Sequence, residues 1–324
     1  MKLTIQEHSR ALRTAFAISR GSKTEAKTVT VTLEADGAVG RGECVPYPRY
    51  AESCASVTAQ IEACRADIEQ TITRAQAQFL LPAGAARCAL DCALWDLEAK
   101  QTGKPVWQLA GLPEPKPVET AVTVTLDTPD KMAGAAKAVA ARLLKLKLGG
   151  AGDLERLAAV HLARPDARLI VDGNEGMAED TFADFVSKAG ALGVVLIEQP
   201  FPADADASLG QIRSNVAICA DESAHTASNI PDLATRYDAV NVKLDKAGGL
   251  TEALAMVKAA RAAKMQIMVG CMVAGSLSMA PAVLLAQLAD IVDLDGPLWL
   301  AEDAPYGLAY DDGQVSPPTQ ALWG

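Results

Sequence analysis

The feature that most constrains this chain is a repeat. From residue 119 onward, short apolar segments alternate with alanine-rich ones of helical periodicity. Strands are expected at 119–125, 143–148, 168–172, 194–198, 216–220, 239–243, 266–270 and 290–294. Helices are expected near 129–142, 152–164, 179–192, 204–213, 229–236, 249–263 and 276–289. Eight strands with seven intervening helices predict a parallel sheet closed into a barrel.

The first third reads differently. TVTVTLEA (28–35) alternates with period two, as an antiparallel strand does, and 5–18 and GRGEC (40–44) supply partners. Helical periodicity follows at 53–72 and 84–101, and Gly103 and Pro105 break it. PEPKPVE (113–119) marks a boundary. The expected fold is α/β: a modified TIM barrel, (β/α)7β, at 115–297, with an α+β capping domain at 1–114. The tail, 298–324, has no room for a full eighth helix and is expected to return to the capping domain.

The net charge of −10 argues against nucleic-acid or anionic-membrane surfaces, which need clustered basic residues. No signal-peptide core or membrane-length apolar run is visible. Seven cysteines without a C-x-x-C pair, beside only three histidines, point to reduced thiols and a cytoplasmic protein. Oligomeric state stays open, a homo-oligomer included.

The strand ends carry the chemistry. Lys147, Asp172, Glu198, Asp221 and Lys243 close successive expected strands, 22 to 26 residues apart, and Asp293 closes the last. Residues at one phase of such a repeat gather at one mouth of a barrel, where barrel enzymes keep their reactive groups. The acids of VDGN, IEQP and ADES would repel one another without a cation, and hard oxygen ligands on separate strands suit Mg²⁺. Singly, each could instead cap the next helix.

LLKLKLGG (143–150) puts Lys145 and Lys147 on one face and three leucines on the other. A free lysine titrates near ~10.4, so a base for neutral pH needs its pKa lowered by roughly three, worth ~4 kcal/mol. Lys145 is expected to act on Lys147 in this direction, by like charge together with partial desolvation. A cation between two lysines can hold a substrate carboxylate and stabilise the dianion left when its α-proton departs. A base on each face then allows epimerisation at the carbon α to that carboxylate.

This constellation resembles the enolase superfamily, and within it the muconate-lactonizing-enzyme subgroup. GAARCALDCALWDLEAK (84–100) and VNVKLDKAGGLTEAL (240–254) are similar to subgroup segments. The resemblance implies metal ligands Asp172, Glu198 and Asp221, acid/base lysines Lys147 and Lys243, and Lys145 as the auxiliary lysine. It places Lys246 off-register, at a helix start or the surface. GECVPYPRYAES (42–53), ADESAHTASN (220–229) and DLDGPLWLAED (293–303) resemble dipeptide epimerases acting on L-Ala-D/L-Glu. That implies a dipeptide substrate, Ala-Glu or another Ala-X, inverted at its C-terminal residue. Asp293 and Asp295 would clamp its ammonium, and Thr123 would contact its carboxylate. Arg20 and Lys23, where the family's cap loop covers the substrate, could pair with a glutamate side chain.

The chain departs from its relatives at Gly173 and in MVAGSLS (272–278), which bears on side-chain specificity. Alternatives are an N-acylamino-acid racemase, an o-succinylbenzoate synthase or a cycloisomerase of the same subgroup. Outside it stands a Schiff-base aldolase-type lyase, which leaves the three carboxylates without a task.

Overall fold

The protein is described by a computed structural model covering residues 1–324. β1 (Lys2–Ile18), β2 (Gly21–Ala35) and β3 (Ala38–Cys44) form an antiparallel sheet. Val29, Val31 and Leu33 alternate along β2 and are fully buried. The expected 53–72 helix is two, α1 (Cys54–Ala63) and α2 (Arg65–Glu69). α3 (Arg74–Leu80), not expected from periodicity, starts at a capping box between Thr73 and Gln76. α4 (Ala85–Thr102) ends at Gly103 in the left-handed region and precedes a short α5 (Val106–Leu109). The sheet packs on α4 very closely. A Cβ on Gly40 or Gly42 would lie 2.3 Å or 2.2 Å from the carbonyl oxygens of Ala93 and Ala89.

The expected 119–125 strand is divided. β4 (Val118–Glu119) belongs to a small outer sheet, and β5 (Val122–Val124) opens the barrel. Between them Thr120 Oγ1 accepts the Leu294 amide and the Ala121 amide donates to Val292, so this stretch joins the last barrel strand to the first. In chain order the barrel continues through α6 (Pro129–Lys137), β6 (Leu143–Lys147), α7 (Asp153–Ala163), β7 (Arg168–Asp172), α8 (Glu179–Ala189) and β8 (Val194–Glu198). It is completed by β9 (Ala217–Ala220), α9 (Ile230–Leu233), β10 (Ala239–Val242), α10 (Leu244–Ala247), α11 (Leu250–Ala262), β11 (Gln266–Gly270), α12 (Ser276–Ala286) and β12 (Ile291–Asp293). The eight strands lie in sequential order, β5 to β12, all parallel.

Two expected helices fall short. Residues 204–213 hold only a 3₁₀ turn, Ala207–Gln211, and 229–236 hold the single turn of α9. The reason at 204–213 is Asp206. Its carboxylate accepts the Tyr237 hydroxyl at 2.7 Å and the Ser223 hydroxyl at 2.6 Å and pairs with Arg236 at 2.8 Å, which fixes the segment as a loop.

Leu143, Ile170, Leu196, Cys219, Ala239 and Met268 fill the barrel interior, while Leu144, Leu146 and Leu148 point into the layer beneath the helices. Lys145 and Lys147 share the inward face with Leu143. After β12 the chain forms β13 (Tyr310–Asp311) and β14 (Gln314–Val315), which pair with β4. It then reaches α4: Trp323 Nε1 donates to Cys92 O at 3.1 Å and the Gly324 amide to Asp96 at 2.7 Å.

Candidate active site

Parallel pairing brings the strand-end groups into one row. Lys147, Asp172 and Glu198 are direct partners across β6, β7 and β8, and Lys145 lies beside Thr123 on β5. Asp221 follows β9 and Lys243 follows β10. All are at most 7% exposed.

Ion pairs weave the row together. Lys147 Nζ lies 2.6 Å from Asp172 Oδ2, and Lys243 Nζ lies 2.6 Å from Asp221 Oδ2 and 3.7 Å from Glu198 Oε1. Lys145 Nζ sits among three carboxylates: Asp172 at 3.0 Å, Glu198 Oε2 at 2.6 Å and Asp293 at 2.7 Å. The contact to Glu198 Oε2 is close but not aligned for hydrogen bonding. Asn241 Nδ2 supports the other Glu198 oxygen at 2.8 Å.

Burial opposes the charge on Lys145, but Asp293, Glu198 and Asp172 outweigh it and hold its pKa well above the usual lysine range. Lys145 is therefore a fixed cation. Lys145 and Lys147 both contact the Asp172 carboxylate, which stands between the two ammonium groups. Burial likewise disfavours charge on Lys243, and Asp221 and Glu198 more than reverse the effect. Glu198 is pushed up to about 7 by burial and by the neighbouring Asp172 charge. Asp221 is held well below the carboxylate range; burial acts upward, but Lys243, Lys246 and Lys145 prevail.

Lys246 lies at a helix start, within the single turn of α10, as one of its two expected places has it, but it is buried and engaged by Asp221. It is 2% exposed, not at the surface, and its ammonium contacts both Asp221 Oδ1, at 2.5 Å, and the Asp221 carbonyl. The one-turn α10 carries it back under β9, a reversal that a strand-phase count cannot register.

The residues present fit a divalent cation. Asp172, Glu198 and Asp221 offer hard oxygen donors on three adjacent strands. Glu198 Oε2, one of these donors, is a buried acceptor without a hydrogen bond, as are Asn174 Oδ1 and Glu222 Oε2 in the adjoining loops. As the side chains stand, no three acidic, histidine or cysteine groups close into a ligand shell, because lysine ammonium groups stand between the carboxylates.

A cavity of about 490 Å³ opens onto the row. The barrel lines it with Lys147, Lys243, Asp221, Glu222, Asn174 and Cys271–Val273, and the cap with Phe16, Ile18–Lys23 without Ser19, and Tyr47–Tyr50. The structure thus brings the two predicted acid/base lysines to one cavity. Thr123, Asp293 and Asp295 are not in its wall. They lie behind it, where Asp295 Oδ2 accepts the Thr123 amide at 2.7 Å and Trp299 Nε1 at 3.2 Å. Burial and the Asp293 charge push Asp295 up to about 6.

The two cap-loop cations part company. Arg20 is engaged by the protein itself, on Glu222 at 2.8 Å, Glu175 at 3.1 Å and the Asn174 carbonyl at 2.7 Å. Lys23 faces the cavity, 5.8 Å from the Phe16 ring centroid, and is pulled down to about 8, first by burial and then by Lys147. Sequence reasoning missed Glu175, Glu222, Arg49 and Tyr50. Glu222, Arg49 and Tyr50 stood inside quoted stretches, ADES and GECVPYPRYAES, but nothing in their spacing distinguished them.

The family model described as mandelate racemase / muconate lactonizing enzyme, N-terminal domain, matches residues 1–111. The model described as enolase C-terminal domain-like matches residues 130–321. An L-Ala-D/L-Glu epimerase of Escherichia coli K12 is 47% identical over 312 residues, covering 95% of this chain and 97% of that protein. An N-acetyl-D-glutamate racemase of a Pseudoalteromonas species is 44% identical over 288 residues, 88% of this chain and 91% of that one. The fold superposes with a TM-score of 0.97 on an enolase family member from Agrobacterium tumefaciens with homology to dipeptide epimerases, solved with sodium and L-Ala-L-Glu bound. That protein is 49% identical, with 99% of each chain covered. With both halves of its length matched and close relatives that are epimerases and racemases, the chain is an isomerase of the enolase superfamily, in its mandelate racemase / muconate lactonizing enzyme family.

Proposed function

We propose that the protein is a Mg²⁺-dependent dipeptide epimerase of the L-Ala-D/L-Glu type, inverting the α-carbon of the C-terminal residue. The observation that carries this is the placement of Lys147 and Lys243 in one cavity wall. They come from strand ends that flank the Asp172–Glu198–Asp221 row on either side. The likeness to the Escherichia coli epimerase and to the structure holding L-Ala-L-Glu supports the choice of substrate.

Asp172, Glu198 and Asp221 would hold the metal, with the barrel at 115–297, the cap at 1–114 and the returning tail at 298–324. When bound, Mg²⁺ supplies charge that fixes the substrate carboxylate and stabilises the negative charge developing on it.

Lys147 and Lys243 do the proton work from opposite faces of the α-carbon. One takes the proton as a neutral amine while the other, as an ammonium, delivers one to the far side. Asp221 and Glu198 hold Lys243 protonated in this structure, so it can act as a base only when those carboxylates are engaged elsewhere. Lys145 keeps its charge as a structural counter-ion of Asp172, Glu198 and Asp293. Thr123, paired with Lys145 across β5 and β6, is assigned to the substrate carboxylate; it lies behind the cavity wall, so this contact too requires the wall to open.

The free ammonium of the dipeptide is assigned to Asp293 and Asp295, which lie behind the cavity wall, so this contact requires the wall residues covering them to move aside. Asp293 Oδ1 is buried without a donor, which an ammonium would supply. Lys23 is assigned to the substrate's side-chain carboxylate, since no carboxylate of the protein pairs with it.

Incubating a dipeptide library in deuterated water and reading α-exchange by mass tests this function. L-Ala-L-Glu or a close Ala-X dipeptide should gain one deuterium at its C-terminal α-carbon; absence of exchange across the library would overturn the reading. The racemase relative favours a second reading, an N-acylglutamate racemase. Equal turnover of free and N-acetylated substrates would select it, whereas a steep loss on acetylation selects the dipeptide.

A further inference from the structure

Arg20 and Arg49 come from the cap, and their partners come from two barrel loops. Arg49 forks onto Glu175, Nε to Oε2 and Nη2 to Oε1, both at 2.8 Å. Glu175 Oε2 also takes Arg20 Nη1, and Oε1 takes the Ala203 amide at 2.9 Å. The other end of the Arg20 guanidinium, Nη2, is on Glu222 and, at 3.3 Å, on the Tyr47 hydroxyl. One guanidinium thus ties the loop after β7 to the loop after β9 and holds both to the cap.

Both loops carry carboxylates of the strand-end row. Glu222 directly follows Asp221. Asn174, whose carbonyl accepts Arg20, donates its amide to Asp172 Oδ1 at 2.9 Å. Asn174 and Glu175 have φ of +42° and +65°, and Gln199 between the two loops has +32°. Non-glycine residues in the left-handed region persist where surrounding contacts hold them. Gln199 Oε1 accepts the amides of Asp221, at 2.8 Å, and Ser223, at 3.2 Å, and its carbonyl accepts the Glu175 amide at 2.9 Å, so Gln199 links the same two loops as Arg20.

We propose that Arg20 is a positioning residue rather than a reader of the substrate. It latches the cap loop to Glu222, Glu175 and Asn174, so that closing the cap and ordering the Asp172 and Asp221 loops are one event. This assignment moves Arg20 out of the substrate-binding set and leaves side-chain recognition to Lys23. Its kinetic arm rests on the dipeptide reading; its structural arm does not.

The structural arm is amide hydrogen exchange on the metal-free, substrate-free enzyme. Arg20→Met should speed exchange by about tenfold or more at 172–176 and at 221–224, and Arg20→Lys should recover part of the protection. Arg49→Met, which keeps Arg20, should loosen 172–176 and, through Arg20, 221–224 as well, and so tests the same coupling if Arg20→Met does not fold; loosening confined to 172–176 would overturn the coupling. Unchanged exchange in both loops on loss of Arg20 overturns the latch.

In the kinetic arm, Arg20→Met should cut kcat/KM for L-Ala-L-Glu and for L-Ala-L-Gln by the same factor, about 100-fold. Adding Glu222→Gln should cost less than about threefold more, because both changes break one contact. A loss confined to L-Ala-L-Glu would make Arg20 a substrate reader. Wild-type enzyme inert toward both dipeptides would count against the dipeptide reading, and the exchange result would still decide the latch.

Discussion

Lys145 and Lys147 place their ammonium nitrogens 3.0 Å and 2.6 Å from the same atom, Asp172 Oδ2. The shared oxygen separates their tasks. Lys145 also reaches Glu198 and Asp293 and is buried to 1%, whereas Lys147 lines the cavity. One is a counter-ion and the other faces the cavity.

From this follows a stereochemical prediction. Lys147→Ala should abolish epimerisation yet retain α-proton exchange for the one substrate epimer whose proton faces Lys243. Lys243→Ala should retain exchange only for the other. ¹H NMR in deuterated water on each pure epimer checks this; loss of exchange for both epimers in both variants would refute independent bases.

Chelation should remove activity and added Mg²⁺ restore it. Glu198→Gln takes away one of three proposed ligands and the charge facing Lys145 and Lys243. It should lower kcat/KM by about 10³-fold or more, in the range of losses from a lost electrostatic contact in a closed site. Isothermal titration with Mg²⁺ should show weakened binding in the same variant. Full turnover after exhaustive chelation would contradict the metal assignment.

Lys23 predicts a pH-dependent specificity. Its pKa is lowered to about 8, so it is an ammonium below that value and neutral above it. The preference for L-Ala-L-Glu over L-Ala-L-Gln should therefore be high at pH 7 and fall as pH rises through about 8. Taking the ratio of kcat/KM values cancels the titration of the proton-transfer lysines. Lys23→Met should give a low, pH-independent ratio, down by about 10-fold or more.

Asp91 on α4 joins cap to barrel, accepting the Thr251 amide at 2.9 Å, the Thr251 hydroxyl at 2.6 Å and Gln78 Nε2 at 2.9 Å. Burial raises it from 3.8 to about 6. A raised acid contributes most stability below its unfolded pKa, and that contribution is lost as pH climbs through the folded value. Up to roughly 3 kcal/mol should therefore disappear between about pH 4 and 6. Asp91→Asn should flatten this part of the stability–pH curve, as measured by urea unfolding of wild type and variant across pH 4–7. Parallel curves would show that Asp91 does not carry it.

The sequence by itself determined the barrel and the row at its mouth. Strand spacing of 22 to 26 residues and period-two alternation are local properties, and a parallel barrel converts one phase of the repeat into one ring of side chains. Lys145, Lys147, Asp172, Glu198, Asp221 and Lys243 were legible for that reason. What tertiary structure decided was pairing. The ion pair of Lys145 with Asp293 spans 148 residues and that of Arg20 with Glu222 spans 202, and no periodicity encodes which charges meet at such separations. The same holds for the one-turn α10 that buries Lys246 against Asp221, and for the polar contacts of Asp206 that leave 204–213 a loop. Local preference sets which elements form. Charges find their partners only when packing brings distant loops together, because a buried charge is tolerated only where it is compensated.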